Sequence, residues 1–301
     1  MIGPARAIGP QAQAPRKLRA VRVSILSNLI LIALKVAAGA ITGSIAILTE
    51  AAHSSIDLIA SIVAYFGVRK ADEPADESHP YGHAKIENVA AAIEGMLILV
   101  GAGVIIYEAT RRLVDTPEVE SLGVGIAVIG FSVVANVVVS SYLYRQARVT
   151  DSPALEADAA HLRTDAATSA GVLVALVLVQ VTGVDWLDPA VALLVAVAIV
   201  AAGIRILSRT SRVLVDEALP DDELEAIRAA IDGHASPEVA GFHKLRARRA
   251  GSRRYIDLHV QFADGTSLRR AHELAHELQG EISKRVRGAD VLIHLEPEGR
   301  E

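Results

Sequence analysis

TEAAHSSIDLIAS, residues 49–61, sets His53 and Asp57 four apart inside a run whose other members suit hydrocarbon. On an α-helix, residues at that spacing share one face and lie about 6 Å apart along the axis. Both side chains therefore point the same way. That way is toward a bundle interior, because an ionisable group facing lipid costs several kcal/mol. Taken alone, the pair reads either as a hydrogen-bonded lock between helices or as part of a functional site.

The flanking sequence makes the run a membrane span. A span needs about twenty apolar residues, and six such segments follow one another near 21–43, 46–69, 87–110, 121–144, 155–181 and 189–208. The chain has 301 residues, 51% of them hydrophobic and 22% charged, with a mean hydropathy of +0.36. This mixture predicts an α-helical membrane domain joined to a water-soluble part. The division falls as a polar N-terminal tail over 1–20, a six-helix membrane domain over 21–210 and a C-terminal domain over 211–301. The tail's APRKLRA lacks the short apolar stretch and cleavage site of a signal peptide. Ahead of the last span, Asp188 reads as a helix cap and Pro189 as the first helical turn. Positive charge concentrates in the tail (Arg6, Arg16, Lys17, Arg19, Arg22) and in the links after the second and fourth spans. The positive-inside rule then places both termini in the cytoplasm.

Beyond Arg205 the composition turns polar. PDDELEAIRAAI has apolar residues at helical spacing behind acidic first-turn residues. FHKLRARR and RYIDLHVQF read as strands, the second alternating strictly with Ile256, Leu258, Val260 and Phe262 on one face. SLRRAHELAHELQGEISKRV is an amphipathic helix and DVLIHLEPE a closing strand. The order α-β-β-α-β predicts a small ferredoxin-like, metallochaperone-like α+β domain of about 85 residues, within the size range that folds alone.

The chain has no cysteine, which removes disulfides, Cys-based zinc sites and thiol catalysis. A metal site must then come from carboxylates and the ten histidines. The net charge of −5 argues against a nucleic-acid partner.

The fifth span repeats the opening pattern. In EADAAHLRTDAATSAG, residues 156–171, His161 and Asp165 again stand four apart. If the second and fifth helices are neighbours, two imidazoles and two carboxylates converge into a set that suits a four-coordinate zinc ion. The divalent charge offsets carboxylates that hydrocarbon would otherwise expel. Such a set leaves no open ligand position, and no H-E-x-x-H is present, so transport fits better than hydrolysis and no enzyme is expected. Metal and protons compete for the same ligand atoms, and a proton gradient can drive exchange. A membrane-anchored metal sensor or scaffold, and a passive channel, are the other readings.

The paired motifs on the second and fifth of six spans, with the α+β tail, resemble the cation diffusion facilitator family, in its zinc-transporting branch. The resemblance covers residues 15–298. It implies a homodimeric metal/proton antiporter in the cell membrane that moves Zn2+ out of the cytoplasm by alternating access. His53, Asp57, His161 and Asp165 would form the transport site. Cadmium, cobalt and iron(II) are the alternative cargoes; some bacterial relatives have Asp at the position of His53, and manganese-handling relatives carry carboxylates or amides in place of His. In DESHPYGHAKIE, residues 76–87, the resemblance implies a loop site of Asp76, His79 and His83. It also implies an interlocking ion pair of Lys85 and Asp216 near the dimer hinge. In the tail it implies a binuclear zinc site near the dimer interface, structural or regulatory, on His243, His259, His272, His294 and Glu296, the last position often being Asp. Eight of the ten histidines thus fall on three metal sites, which a core or surface account must treat as coincidence.

The remaining polar residues have plainer readings. His276 and His234 are expected to be solvated. Glu50 either steers ions near the outer mouth or caps its helix. Arg163 points away from the ligand face, and Asn28 and Asn136 read either as donors that orient ligands or, preferred, as ordinary interhelical hydrogen bonds. The basic hairpin around Ala250 to Ser252 is a solvated turn.

Overall fold

The computed structural model describes residues 13–42, 45–114, 123–184, 186–234 and 236–299. Most of the 1–20 tail, Arg6 included, lies outside the described residues, as does the side chain of His53. The chain divides into two compact units, Ala14–Ser211 and a C-terminal unit beginning at Arg212.

The first unit is six helices: α1 Ala14–Thr42, α2 Ile45–Ala71, α3 Ile86–Val114, α4 Gly123–Thr150, α5 Pro153–Thr182 and α6 Leu187–Leu214. All six are long and apolar enough to cross a membrane. They outrun the apolar segments read from sequence, because helix propensity continues where hydropathy stops. Ala, Arg, Lys and Leu in APRKLRA are strong helix formers, so α1 begins well before residue 21. The start of α5 is sharp: Ser152 accepts a hydrogen bond from the Leu155 amide at 3.3 Å, and Pro153 takes the first turn. The α6 helix opens at Leu187, so Asp188 sits in its first turn rather than at the cap, and there accepts a hydrogen bond from Arg112 Nη1 at 3.3 Å.

Helix α5 packs against α4, α3 and α2, and α1 against α2 and α4. The second and fifth spans are therefore neighbours. Small residues allow the close approaches: a methyl group on Gly67 of α2 would stand 2.4 Å from the Cβ of Ala90 on α3. Large apolar side chains such as Leu26, Phe66, Val100 and Val134 point outward and are exposed, which inverts the soluble-protein pattern and suits a lipid surround.

The second unit follows the expected order: α7 Asp221–Asp232, β1 Val239–Ala250, β2 Arg253–Phe262, α8 Leu268–Arg285 and β3 Ala289–Pro297. The sheet order is β1-β2-β3. β1 pairs antiparallel with β2 through a tight turn in which Gly251 has φ 54, and β2 pairs parallel with β3 across the α8 crossover. Ile256, Leu258, Val260 and Phe262 are buried against Ile227 of α7 and Leu274, Leu278 and Ile282 of α8, each large side chain contributing about 1.5–3 kcal/mol by burial. Arg254 Nε and Nη2 bind both oxygens of Glu223 at 2.9 Å, tying α7 to the sheet. The period of two leaves Tyr255, Asp257, His259 and Gln261 on the face away from the helices.

Candidate functional site

Because α2 and α5 are in contact, their inward faces bring Asp57, His161 and Asp165 together, each with one ligand atom within 4.8 Å of the others. His161 Nε2 lies 3.3 Å from Asp57 Oδ1 and 3.8 Å from Asp165 Oδ2. Asp57 is 5% and His161 6% exposed. His161 Nδ1 is buried with no hydrogen-bond partner among the described residues. One imidazole and two carboxylates fit the donor set zinc accepts; the side chain of His53, the fourth expected ligand, lies outside the described residues.

A polar scaffold holds this group. Asn28 of α1 donates to Ser61 Oγ at 3.0 Å and to the backbone oxygen of Asp57 at 3.5 Å. Ser61 and Ser24 both donate to Asp158 Oδ1, at 3.0 and 3.2 Å. Asn28 thus does more than join two helices: it orients the backbone of a ligand-bearing turn. Arg163 turns away as expected, stacking over the Tyr144 ring at 5.1 Å and donating to Ser141 Oγ at 3.4 Å. Asn136 is buried on α4, its Oδ1 without a hydrogen-bond partner among the described residues. Glu50 neither caps its helix nor stands free: it pairs with the buried Lys35 at 3.0 Å, and Lys35 also donates to Ser54 at 2.8 Å.

A second group lies in the link between α2 and α3. Asp76, His79 and His83 converge, with His79 Nδ1 3.4 Å from Asp76 Oδ1 and His83 Nε2 3.4 Å from Asp76 Oδ2. His83 is 4% exposed, and its Nδ1 donates to Pro74 O at 3.2 Å, which leaves Nε2 as the bare nitrogen facing Asp76. The link is thus a built turn rather than a solvated loop. Asp76 Oδ1 also accepts from the Ser78 hydroxyl at 2.7 Å and from the Ser78 and His79 amides at 2.9 and 2.7 Å. These bonds, the Ser78 hydroxyl first, hold its carboxyl down at about 2. The stabilisation is present above the ordinary value of 3.8 and is lost as pH falls through about 2. Ser78→Ala is expected to move the Asp76 titration upward in metal-free protein, as read by carboxyl carbon shifts; an unmoved titration would show that the amides alone suffice.

The third group is on the open face of the C-terminal sheet. Strand register sets His243 opposite His259 and His259 opposite His294, with Glu296 two residues along β3 on the same face. Glu296 accepts from His243 Nε2 at 2.8 Å through one oxygen and from His259 Nδ1 at 2.6 Å through the other. His294 Nε2 stands 3.6 Å from Glu296. The His259 hydrogen bond, with that of His243, lowers the Glu296 carboxyl from the usual range against an opposing effect of burial. A Glu at this position therefore does reach two imidazoles at once. His272 is not brought to the group within one chain. It is exposed on α8, stacked on His276 with ring centroids 6.1 Å apart, because α8 spends its apolar stripe on the opposite face of the sheet. His276 is exposed, bonded to Gln279, and His234 is half-buried 3.4 Å from Glu277. Asp216 pairs within its own unit with Arg248 at 2.8 Å, and Lys85 belongs to the other unit.

Three buried charged groups escaped the sequence reading. Lys17 is 2% exposed and binds Glu87 at 2.6 Å and Asp72 at 3.5 Å, while Glu87 accepts from Ser152 Oγ at 2.5 Å. Lys35 pairs with Glu50 as described. Glu94 of α3 and Asp158 of α5 are both completely buried. Spacing carried the signal: Lys17, Ser24, Asn28 and Lys35 recur at seven, four and seven along α1 and so line one face.

Comparison with known proteins agrees with this architecture. Residues 21–215 match the family model described as the cation efflux transmembrane domain, and residues 219–298 that of the cation efflux protein, cytoplasmic domain. The chain is 38% identical over 275 residues to an uncharacterized transporter of Synechocystis sp., covering 91% of this chain and 88% of that one. It is 34% identical over 288 residues to the cation-efflux pump FieF of Serratia proteamaculans, covering 96% and 95%. The metal-bound C-terminal domain of the CzcD transporter from Thermotoga maritima is 32% identical over 26% of this chain and 91% of that one, with a TM-score of 0.25, which carries no argument about the fold. Six spans, the paired motifs on α2 and α5 and two family models that together cover most of the sequence make this chain a multi-pass membrane cation efflux transporter of the cation diffusion facilitator family, and not an enzyme.

Proposed function

We propose that the protein exports zinc from the cytoplasm in exchange for protons, working as a homodimer with both termini in the cytoplasm. The observation that carries this reading is the convergence of Asp57, His161 and Asp165 from two spans inside the bundle; His53, one turn before Asp57 in sequence, would be the fourth ligand. Imidazole beside carboxylate favours zinc over the harder oxygen-seeking cations; cadmium, cobalt and iron(II) are the secondary cargoes. A ligand atom binds metal only when unprotonated, so each proton delivered from the acidic outer side displaces cargo, and rocking of the bundle reloads the site from within.

The loop group of Asp76, His79 and His83 and the tail group would hold further zinc. In the tail, His243, His259, His294 and Glu296 supply one side of the site. His272, exposed and remote in its own chain, would come from the partner subunit, which makes metal binding and dimer formation one event. The Lys85 and Asp216 interlock belongs to the same dimeric reading.

The test is zinc uptake into proteoliposomes carrying a trapped zinc dye, with and without an imposed pH gradient. Flux that requires the gradient supports the antiporter. Equal flux without it supports a channel, and no flux from folded, zinc-binding protein supports a sensor.

A further inference from the structure

Neither Glu94 nor Asp158 is a ligand of the transport site described above, and neither can stay in the bundle as an unpartnered carboxylate. Both are completely buried in helices of the membrane domain. Both oxygens of Glu94 and Oδ2 of Asp158 have no hydrogen-bond partner among the described residues. An isolated buried carboxylate is among the most costly groups a fold can contain, so these oxygens are met by a proton, by water or by a cation.

Their placement says what. Helices α3 and α5 are in contact, with Ile98 and Ala160 in one buried cluster. Glu94 shares a face of α3 with Ile98, one turn on, and lies within electrostatic reach of Asp158, which α5 turns toward Ser24 and Ser61. Asp158 is one turn before His161, on the same face of α5, displaced from it toward the end at which α5 begins. The link carrying Asp76, His79 and His83 and the start of α3 belong to that same end of the bundle. Asp158 is also held in one orientation: Ser24 and Ser61 both bind its Oδ1, which leaves Oδ2 as the bare valence.

We propose that Glu94 and Asp158 form a transit site for a divalent cation, one turn from the Asp57, His161 and Asp165 site on the side facing the 72–85 link. It rests on the reading of the bundle as the metal pathway. Two carboxylates neutralise one divalent cation, so the loaded site carries no net charge in a medium that penalises charge. Three carboxylate oxygens and water bind zinc more weakly than a set containing imidazole. A weak oxygen site before a nitrogen-bearing one lets cargo move forward without being trapped at the first stop, as multi-site conduction requires.

The experiment is anomalous scattering from full-length crystals soaked in cadmium at a concentration that fills the tail site. It compares wild type, Asp57→Asn and Asp57→Asn with Glu94→Gln. The expected result is a peak between Glu94 and Asp158 in Asp57→Asn that disappears when Glu94→Gln is added. No peak there while the tail site is full overturns the proposal and leaves the two acids as proton carriers only. A peak at Asp57, His161 and Asp165 in wild type is scored separately, so failure of the transport-site reading is distinguishable. In flux assays, the isosteric Glu94→Gln should raise the half-saturating zinc concentration about tenfold and leave the gradient dependence of the maximal rate unchanged. A shifted pH profile with unchanged half-saturation would also overturn the transit site.

Discussion

Zinc flux in Asp57→Ala and in Asp165→Ala proteoliposomes is expected to fall at least about 100-fold, a loss of about 2.7 kcal/mol of barrier lowering. Each substitution removes one carboxylate from a group whose ligand atoms lie within 4.8 Å of one another, and with it one of the two negative charges that offset the divalent cation. Asp57→Ala also strips His161 of the oxygen 3.3 Å from its Nε2, so the remaining imidazole loses its orientation. Dye-loaded vesicles at fixed gradient give the rates, and unchanged helix content and unfolding midpoint in micelles show that the variants are folded. A rate within about tenfold of wild type in either variant would be inconsistent with this site as the obligatory passage.

Lys17→Met is expected to destabilise the membrane unit by about 3–5 kcal/mol, because it leaves Glu87 charged, buried and without its 2.6 Å partner. The size comes from the orphaned acid, since a well-packed apolar pair in the same space can equal a buried ion pair. Lys17→Met with Glu87→Met should therefore recover much of the loss, and the cycle isolates the coupling. Reversible unfolding in mixed micelles measures it. A single variant within about 0.5 kcal/mol of wild type, or a double variant worse than the sum of the singles, contradicts the buried-pair account.

The six spans were readable because each is a long apolar run, and the C-terminal domain because strict alternation in RYIDLHVQF leaves little choice of face. Asp57, His161 and Asp165 were readable because ionisable residues at a spacing of four, repeated on two spans, are conspicuous against hydrocarbon. What was hidden is of another kind. Lys17 sits among Arg16, Arg19 and Arg22 and looks like one more interfacial cation. Only tertiary packing turns it inward onto Glu87, and no local pattern specifies that partner 70 residues away. The separation of His272 from His243, His259 and His294 was hidden for a similar reason. Sequence places all four on the same small domain, but α8 packs on the apolar face of the sheet while His243, His259 and His294 stand on the other.

The cap of α5 has a consequence for how the bundle can move. Ser152 fixes the first turn of the helix that bears His161 and Asp165, and the same hydroxyl donates to Glu87 of α3, itself clamped by Lys17 of α1. Rotating α5 alone would break the Ser152–Glu87 bond and take one partner from a buried acid. A motion that carries the starts of α1, α3 and α5 together keeps all of these bonds, so the three helix starts behave as one tied base for the ligand-bearing turns of α5.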